Sequence, residues 1–124
     1  MRYTQTKYLT LVNLSYLHEL SENNKEFERE MLTLYVDQFS QQINNLEIAF
    51  NTKDYSEIDF IANNLKSSVA VLIGEKLSPF FERIEIKASR KVIDQSCIDS
   101  YKFVVENLAI VIAELKQLLL TEYC

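Results

Sequence analysis

The sequence predicts an all-α protein: an antiparallel, up-and-down four-helix bundle preceded by a short N-terminal helix. The 124 residues include one glycine and one proline. A sheet needs many turns, and turns depend on those two residues. In addition, apolar residues recur every three or four positions through several long segments, which is the spacing of one face of a helix. Long helices joined by short breaks satisfy both observations.

Length and composition fit a single domain, 1–124, in which 1–11 form an N-terminal arm. A chain of this length buries roughly two-thirds of its surface on folding and needs no disulfide or metal to hold it together. Its composition, 48% hydrophobic and 25% charged, is ordinary for a globular protein. No internal repeat, linker or low-complexity segment divides the chain.

The charge and the cysteines exclude several classes of function. A net charge of -5 disfavours nucleic acid and anionic membranes as partners, because both present phosphates that clustered Lys and Arg would have to meet. No segment reaches the ~20 apolar residues of a membrane span, and the N-terminus lacks a signal-peptide run. Cys97 and Cys124 have no metal-binding spacing, so we predict no metal, no cofactor and a reduced, cytoplasmic setting.

The first two helices have recognisable start signals. A short helix is predicted over 13–20 with Asn13 as its cap. A long helix follows over 25–50, and Asn23 with Glu26 fits a capping box at its start. The residues predicted to form the buried face of the long helix are Phe27, Met31, Leu34, Tyr35, Phe39, Ile43, Leu46 and Phe50.

The third helix is predicted over 55–73. Asp54 and Glu57 form the capping pair at its start. Gly74, the only glycine, stands where a C-terminal cap or a tight corner is needed. The buried stripe predicted for this helix is Ile58, Ile61, Leu65, Val69 and Leu72.

A fourth helix should follow and end near 89, with Pro79 in its first turns, where a missing N–H does least harm. Ser78 capping a helix that begins at Pro79 is the alternative. Positive charge near the C-terminal end of this helix complements the helix dipole, and we prefer that interpretation to a binding patch. The basic residues concerned are Arg83, Lys87, Arg90 and Lys91.

The fifth helix, over 94–120, would be about 40 Å long at ~1.5 Å per residue. Its apolar residues follow alternating spacings of three and four, a pattern typical of a helix that packs against antiparallel neighbours. They are Tyr101, Val105, Leu108, Ile112, Leu115 and Leu119.

The solvent-facing side of the third helix is the candidate site. At ~100° per residue, five positions lie roughly 80° to 180° from Ile58 and therefore point away from the core. Their short side chains would let another protein approach the backbone. The alternative is an ordinary surface, since exposed Ala, Ser and a solvated Lys are common. The five residues are Asp59, Asn63, Lys66, Ser67 and Ala70.

The segment Ala62-Asn63-Asn64-Leu65-Lys66-Ser67-Ser68, followed by Gly74, resembles the motif of histidine-phosphotransfer (HPt) domains of two-component phosphorelays. That motif reads Ala-His-x-Leu-Lys-(Gly/Ser)-Ser, then a glycine a few residues later. The upstream "LYVDQFSQQINNLEIAFNTKDYSEIDFIA" and the downstream "GEKLSPFFERIE" are similar to the helices that flank the family's site. The resemblance covers roughly 12 to 120.

The resemblance implies specific roles, and the chain departs from the family at the decisive position. In the family a histidine accepts a phosphoryl group from a receiver aspartate, whereas this chain has Asn63. A carboxamide nitrogen is not a usable nucleophile, because its lone pair is delocalised into the carbonyl. The counterpart of Lys66 helps to neutralise the phosphoryl group, and the small residue at Ser67 leaves room for the receiver. His18, the only histidine, is expected to be an exposed polar residue.

Three functions remain open at this stage. The first is a non-catalytic, monomeric HPt-like module that binds a response-regulator receiver domain or a hybrid histidine kinase. The second is a working phosphocarrier, with an unexpected acceptor or with histidine at position 63 in the natural protein. The third is a helical assembly module unrelated to phosphorelays. None of them is an independent enzyme, since the sequence has neither a nucleophile triad nor a phosphate-cradling glycine loop.

Overall fold

The computed structural model describes residues 11–123, which are 85% helical and contain no strand. The predicted all-α class is therefore confirmed. Most of the predicted arm, 1–10, and Cys124 lie outside the described residues. The helices are α1 (Ser15–Ser21), α2 (Lys25–Thr52), α3 (Tyr55–Ile73), α4 (Ser78–Ser89) and α5 (Gln95–Thr121), with a 3-10 turn at Gly74–Lys76 between α3 and α4.

The four longer helices enclose one core. α3 packs against α2 and α4, α5 packs against the same two helices, and α1 lies against α2 and α3. Phe39 of α2, Phe81 of α4 and Leu108 of α5 are fully buried there, and Leu17 of α1 joins them. At the start of the described chain, the Leu11 N–H donates to the Glu114 carboxylate at 3.0 Å, so this segment is held against α5.

Capping explains where the helices begin. Asp54 accepts a hydrogen bond from the Glu57 N–H at 3.2 Å, as predicted. The cap of α2 is Asn24, whose Oδ1 accepts from the Phe27 N–H at 3.0 Å, so the predicted capping box at Asn23 is wrong by one residue. An N-cap needs an extended backbone. Asn24 has that conformation, whereas Asn23 is left-handed with φ 63°.

The start of α1 also differs slightly from the prediction. α1 begins two residues after Asn13, and the Asn13 side chain accepts a hydrogen bond from the Ser15 N–H at 2.9 Å. The His18 side chain is 44% exposed, in line with the predicted exposure, but it also makes a contact that the sequence did not indicate. Its Nδ1 lies 2.8 Å from Oε2 of the buried Glu28, so this side chain is a structural contact between α1 and α2.

The buried face of α2 is shifted from the predicted one. Phe27 and Leu34 are 43% and 56% exposed, while Leu32 and Ala49 are buried. The first turn explains part of the difference. The core-facing position there is Glu28, a carboxylate buried with hydrogen-bond partners, and an apolar pattern cannot identify such a position.

α3 and the turn after it agree closely with the prediction. The bounds are those predicted, and all five residues of the predicted stripe are buried. Gly74 is the C-cap, with φ 74° and ψ −152°. Pro79 lies in the first turn of α4, as predicted. Ser78 is the first residue of that helix and not its cap; its Oγ donates to Glu75 at 2.7 Å.

In α5 the fully buried stripe lies beside the predicted one. Leu108 and Leu115 belong to both, but the observed stripe also contains Val104 and Val111, with Cys97 and Ser100 buried near the start of the helix. The remaining predicted residues are partly buried at the edges of the stripe: Tyr101, Val105, Ile112 and Leu119. Tyr101 stacks on Phe50 with ring centroids 4.3 Å apart.

Two of the four basic residues in and just after α4 contact the segment that begins α5. Lys87 Nζ lies 2.6 Å from Asp94 Oδ2, and Arg83 Nη1 donates to Ser100 Oγ at 3.0 Å. Asp94 is also the N-cap of α5. These contacts connect α4 to α5, which favours the structural interpretation of Arg83 and Lys87 over a binding patch.

Candidate functional site

The predicted site residues share one side of α3. Because the core stripe of this helix is turned inward, the positions half a turn away face outward. Asn63 and Ser67 are exposed there, and the other three are partly buried toward neighbouring helices. With Phe60, which sequence reasoning missed, they form what we call the outer face: Asp59, Phe60, Asn63, Lys66, Ser67 and Ala70.

Phe60 is the most exposed phenylalanine of the described chain, at 61%. It stands one turn before Asn63 and two turns before Ser67, so the three residues follow one line along the helix. The helical angle that identified the other residues also places Phe60 on this side, so the signal was present in the sequence. Phe60 thus adds one large apolar side chain to a surface that otherwise carries short polar ones.

A carboxylate of α4 binds the central residue of the outer face. Asn63 Nδ2 donates to Glu85 Oε1 at 3.0 Å. Ala62, the neighbour of Asn63 in sequence, is fully buried, and α3 and α4 are in contact along this region. The contact depends on how α3 is aligned with α4, so no local sequence signal could have identified Glu85.

The same carboxylate pairs with the lysine. Lys66 Nζ lies 2.9 Å from Glu85 Oε2 and 3.8 Å from Glu82 Oε2. Contact with the Glu85 carboxylate raises the pKa of Lys66, and the negative charges of Glu82 and Glu75 add to the effect. Lys66 is thus a fully charged ammonium whose charge is already balanced within the protein.

Asn63, Ser67 and His18 each make a hydrogen bond within the protein. The Asn63 amide is a hydrogen-bond donor to Glu85. The Ser67 hydroxyl donates weakly, at 3.5 Å, to the carbonyl of Asn63 within its own helix. His18 is bound to Glu28 of α2.

A polar groove runs beside the outer face, between α2 and α3. Its volume is about 310 Å³. It is large enough to receive one or two side chains of a partner. Its lining includes Gln38, Gln42, Asn64, Ser67 and Ser68.

Residues 11–123 contain no group of three or more His, Cys, Asp or Glu side chains arranged to hold a metal ion. In the same range no helix combines the length and the apolar character that crossing a membrane requires. Cys97 is buried and free, and burial raises the pKa of its thiol, which makes it an unreactive core residue.

No protein-family model, curated protein or solved structure matches this chain. The resemblance to HPt domains therefore rests on the motif around Asn63 and on the order of the helices.

Proposed function

We propose that this protein is an HPt-like module of two-component signalling that binds a receiver domain without carrying phosphate. The partner is the receiver of a response regulator or of a hybrid histidine kinase. In this proposal α2 to α5 form the up-and-down four-helix bundle of that family, and α3 presents the site. The observation that carries the proposal is the position of Asn63, exposed at the centre of the outer face, with its amide donating to Glu85.

The nucleophilicity of the side chain at position 63 distinguishes docking from phosphotransfer. The phosphoryl acceptor of a carrier needs an available lone pair, which the Asn63 carboxamide lacks. An imidazole at the same place would supply one. The wild-type chain should therefore stay unlabelled after incubation with a receiver phosphorylated with ³²P. Acid-labile label on the chain would instead support the working carrier.

The composition of the outer face supports docking. Phe60 offers an exposed apolar side chain that a partner could bury. Ser67 and Ala70, between Phe60 and the end of α3, have short side chains that leave room for a partner to approach the helix. The neighbouring groove adds amide and hydroxyl groups. A small, mixed surface of this kind fits a transient interface, for which we expect a Kd of about 1–100 μM.

Bulky charged substitutions on the outer face test the proposal. Asn63→Arg and Ser67→Arg should each weaken receiver binding at least about tenfold, because an arginine there fills the space a partner must occupy. Isothermal titration calorimetry against the receiver domains encoded in the same genome would measure this.

Asn44→Arg is the matched control. Asn44 is exposed on α2 and does not line the groove between α2 and α3, so binding should be unchanged. Equal binding by all three variants would show that the outer face is not the interface. A homodimer that buries Asn63 and Ser67 would favour the assembly module instead.

A further inference from the structure

We infer that the outer face selects the unphosphorylated form of its receiver partner, so that phosphorylation of the partner releases it. This inference rests on the proposed function and adds a form of regulation to it. It follows from how the charges around Asn63 are arranged, and it reverses the preference expected of a domain that accepts phosphoryl groups.

The Asn63 amide and the Lys66 ammonium, which an incoming phosphoryl oxygen would approach, already contact a carboxylate of the protein. Asn63 Nδ2 and Lys66 Nζ are held by the two oxygens of one carboxylate, Glu85, at 3.0 and 2.9 Å. Glu85 Oε2 is buried and accepts no hydrogen bond of good geometry within the described chain, so its ion pair with Lys66 is its main compensation. A phosphoryl group that took Lys66 away would leave this oxygen buried without a counter-charge, which is unfavourable.

The local field is negative as well. Lys66 is the only basic residue of α3. It stands against the carboxylates of Glu85, Glu82 and Glu75, all of which act on its ammonium group. One positive charge thus faces three negative ones. A phosphoryl dianion brought to Asn63 by a partner would be repelled by the uncompensated charges.

The expected effect is moderate because the site is open to solvent. At separations of about 8 Å, repulsion between exposed charges is reduced by water and by salt, whose screening length is ~8–10 Å near physiological ionic strength. Affinity should fall on the order of 3- to 10-fold when the partner is phosphorylated. The difference should shrink as salt is added.

The same arrangement specifies the partner's surface. Glu82 has a side chain that is 56% exposed and lies 3.8 Å from Lys66, so it is free to meet a cation from outside. Phe60 needs an apolar depression. The partner is therefore an unphosphorylated receiver domain that presents an apolar patch with a lysine or arginine at its edge.

The test compares each receiver domain encoded in the same genome with and without beryllofluoride, which mimics its phosphoryl group. Calorimetry with the wild-type protein should show weaker binding of the beryllofluoride form. In the double variant Glu82→Gln, Glu85→Gln the two forms should bind within about twofold of each other. Glu82→Gln alone should remove part of the difference. Because the Glu82 side chain is exposed, this single variant should fold and still test the inference if the double variant misfolds.

Glu106→Gln is the control, since Glu106 is exposed on α5 and the discrimination should persist. Equal or tighter binding of the beryllofluoride form by the wild-type protein would overturn the inference while leaving the proposed function standing. A difference that survives in both glutamine variants would overturn it too. If no receiver domain binds in either form, the proposed function is wrong and the inference falls with it.

Discussion

The hydrogen bond between Asn63 and Glu85 defines what position 63 can do. The Glu85 carboxylate oxygen lies 3.0 Å from the amide nitrogen of Asn63, so it can accept a hydrogen bond from an N–H group on residue 63. An imidazole can present an N–H in much the same place as an amide. A histidine at this position would therefore present a ring N–H to the Glu85 carboxylate, which could accept a hydrogen bond from it.

Asn63→His should give a histidine with a pKa above the ordinary value of about 6.5, because a nearby carboxylate stabilises the imidazolium form. An NMR titration of the ring protons would measure it, with His18 as the only other histidine. In the double variant Asn63→His, Glu85→Gln the pKa should fall back toward the ordinary value. The same pKa in both variants would show that Glu85 does not reach residue 63 in solution.

At this scale the sequence predicted part of the site. The ~100° rotation per residue placed Asn63, Lys66 and Ser67 on the outer face, because a helix fixes that angle whatever it packs against. It could not place Glu85, which lies 22 residues from Asn63 and reaches it only through the packing of α4 against α3. Pairing between helices depends on the turn at Gly74 and on the core beneath it.

Among the elements, α3 was the most predictable. Its start is fixed by the Asp54 cap and its end by Gly74, and both signals act within a few residues. The buried stripes of α2 and α5 were less predictable, because a long helix rich in apolar residues offers more than one continuous stripe. In α5 the pairs Val104 with Val105 and Val111 with Ile112 are adjacent in sequence, so tertiary packing chose between them.

Gly74→Ala should destabilise the protein by about 1–3 kcal/mol, since φ 74° with ψ −152° is a backbone region open almost only to glycine. A Cβ at this position would meet nothing within 4 Å, so the effect belongs to the backbone. Lys53→Gly is the matched control, and its effect on the free energy of unfolding should have the opposite sign. Lys53 caps α2 with φ 55°, where glycine should stabilise by up to ~1 kcal/mol. Urea unfolding would measure both, and an unchanged Gly74→Ala variant would contradict the argument.

Across the whole molecule, Glu28 connects parts of the chain that are far apart in sequence. Its carboxylate accepts hydrogen bonds from His18 Nδ1 at 2.8 Å, from Ser21 Oγ, and from Tyr123 OH at 2.8 Å. α1, α2 and the segment after α5 therefore meet at one buried group. In the sequence, a glutamate in the first turn of a helix is simply favourable to the helix dipole, so nothing local indicates that it is buried.

The protonation of Glu28 links this cluster to pH. Burial by itself would raise the pKa of the carboxyl, but the hydrogen bonds from Ser21, His18 and Tyr123 outweigh it and lower the pKa below its ordinary value. A lowered pKa in the folded state means that the ionised group stabilises the fold above its unfolded pKa of about 4.3. That stabilisation is lost as pH falls through the folded value. Burial, together with the contact to Glu28, raises the pKa of Tyr123 to about 12, so the tyrosine stays a donor at neutral pH.

Tyr123→Phe should therefore lower the free energy of unfolding by about 1.5–3 kcal/mol at pH 7, the usual contribution of a hydrogen bond to a charged group. The difference from the wild-type protein should shrink by roughly half once the pH has fallen below the lowered pKa of Glu28, because protonation turns the contact into a bond between neutral groups. Urea unfolding at pH 7 and at that lower pH would measure it. Tyr16→Phe is the control, because Tyr16 is exposed and its change should stay within about 0.5 kcal/mol. A loss for Tyr123→Phe that is the same at both pH values would mean that the charge of Glu28 contributes nothing to holding the end of the chain against α2.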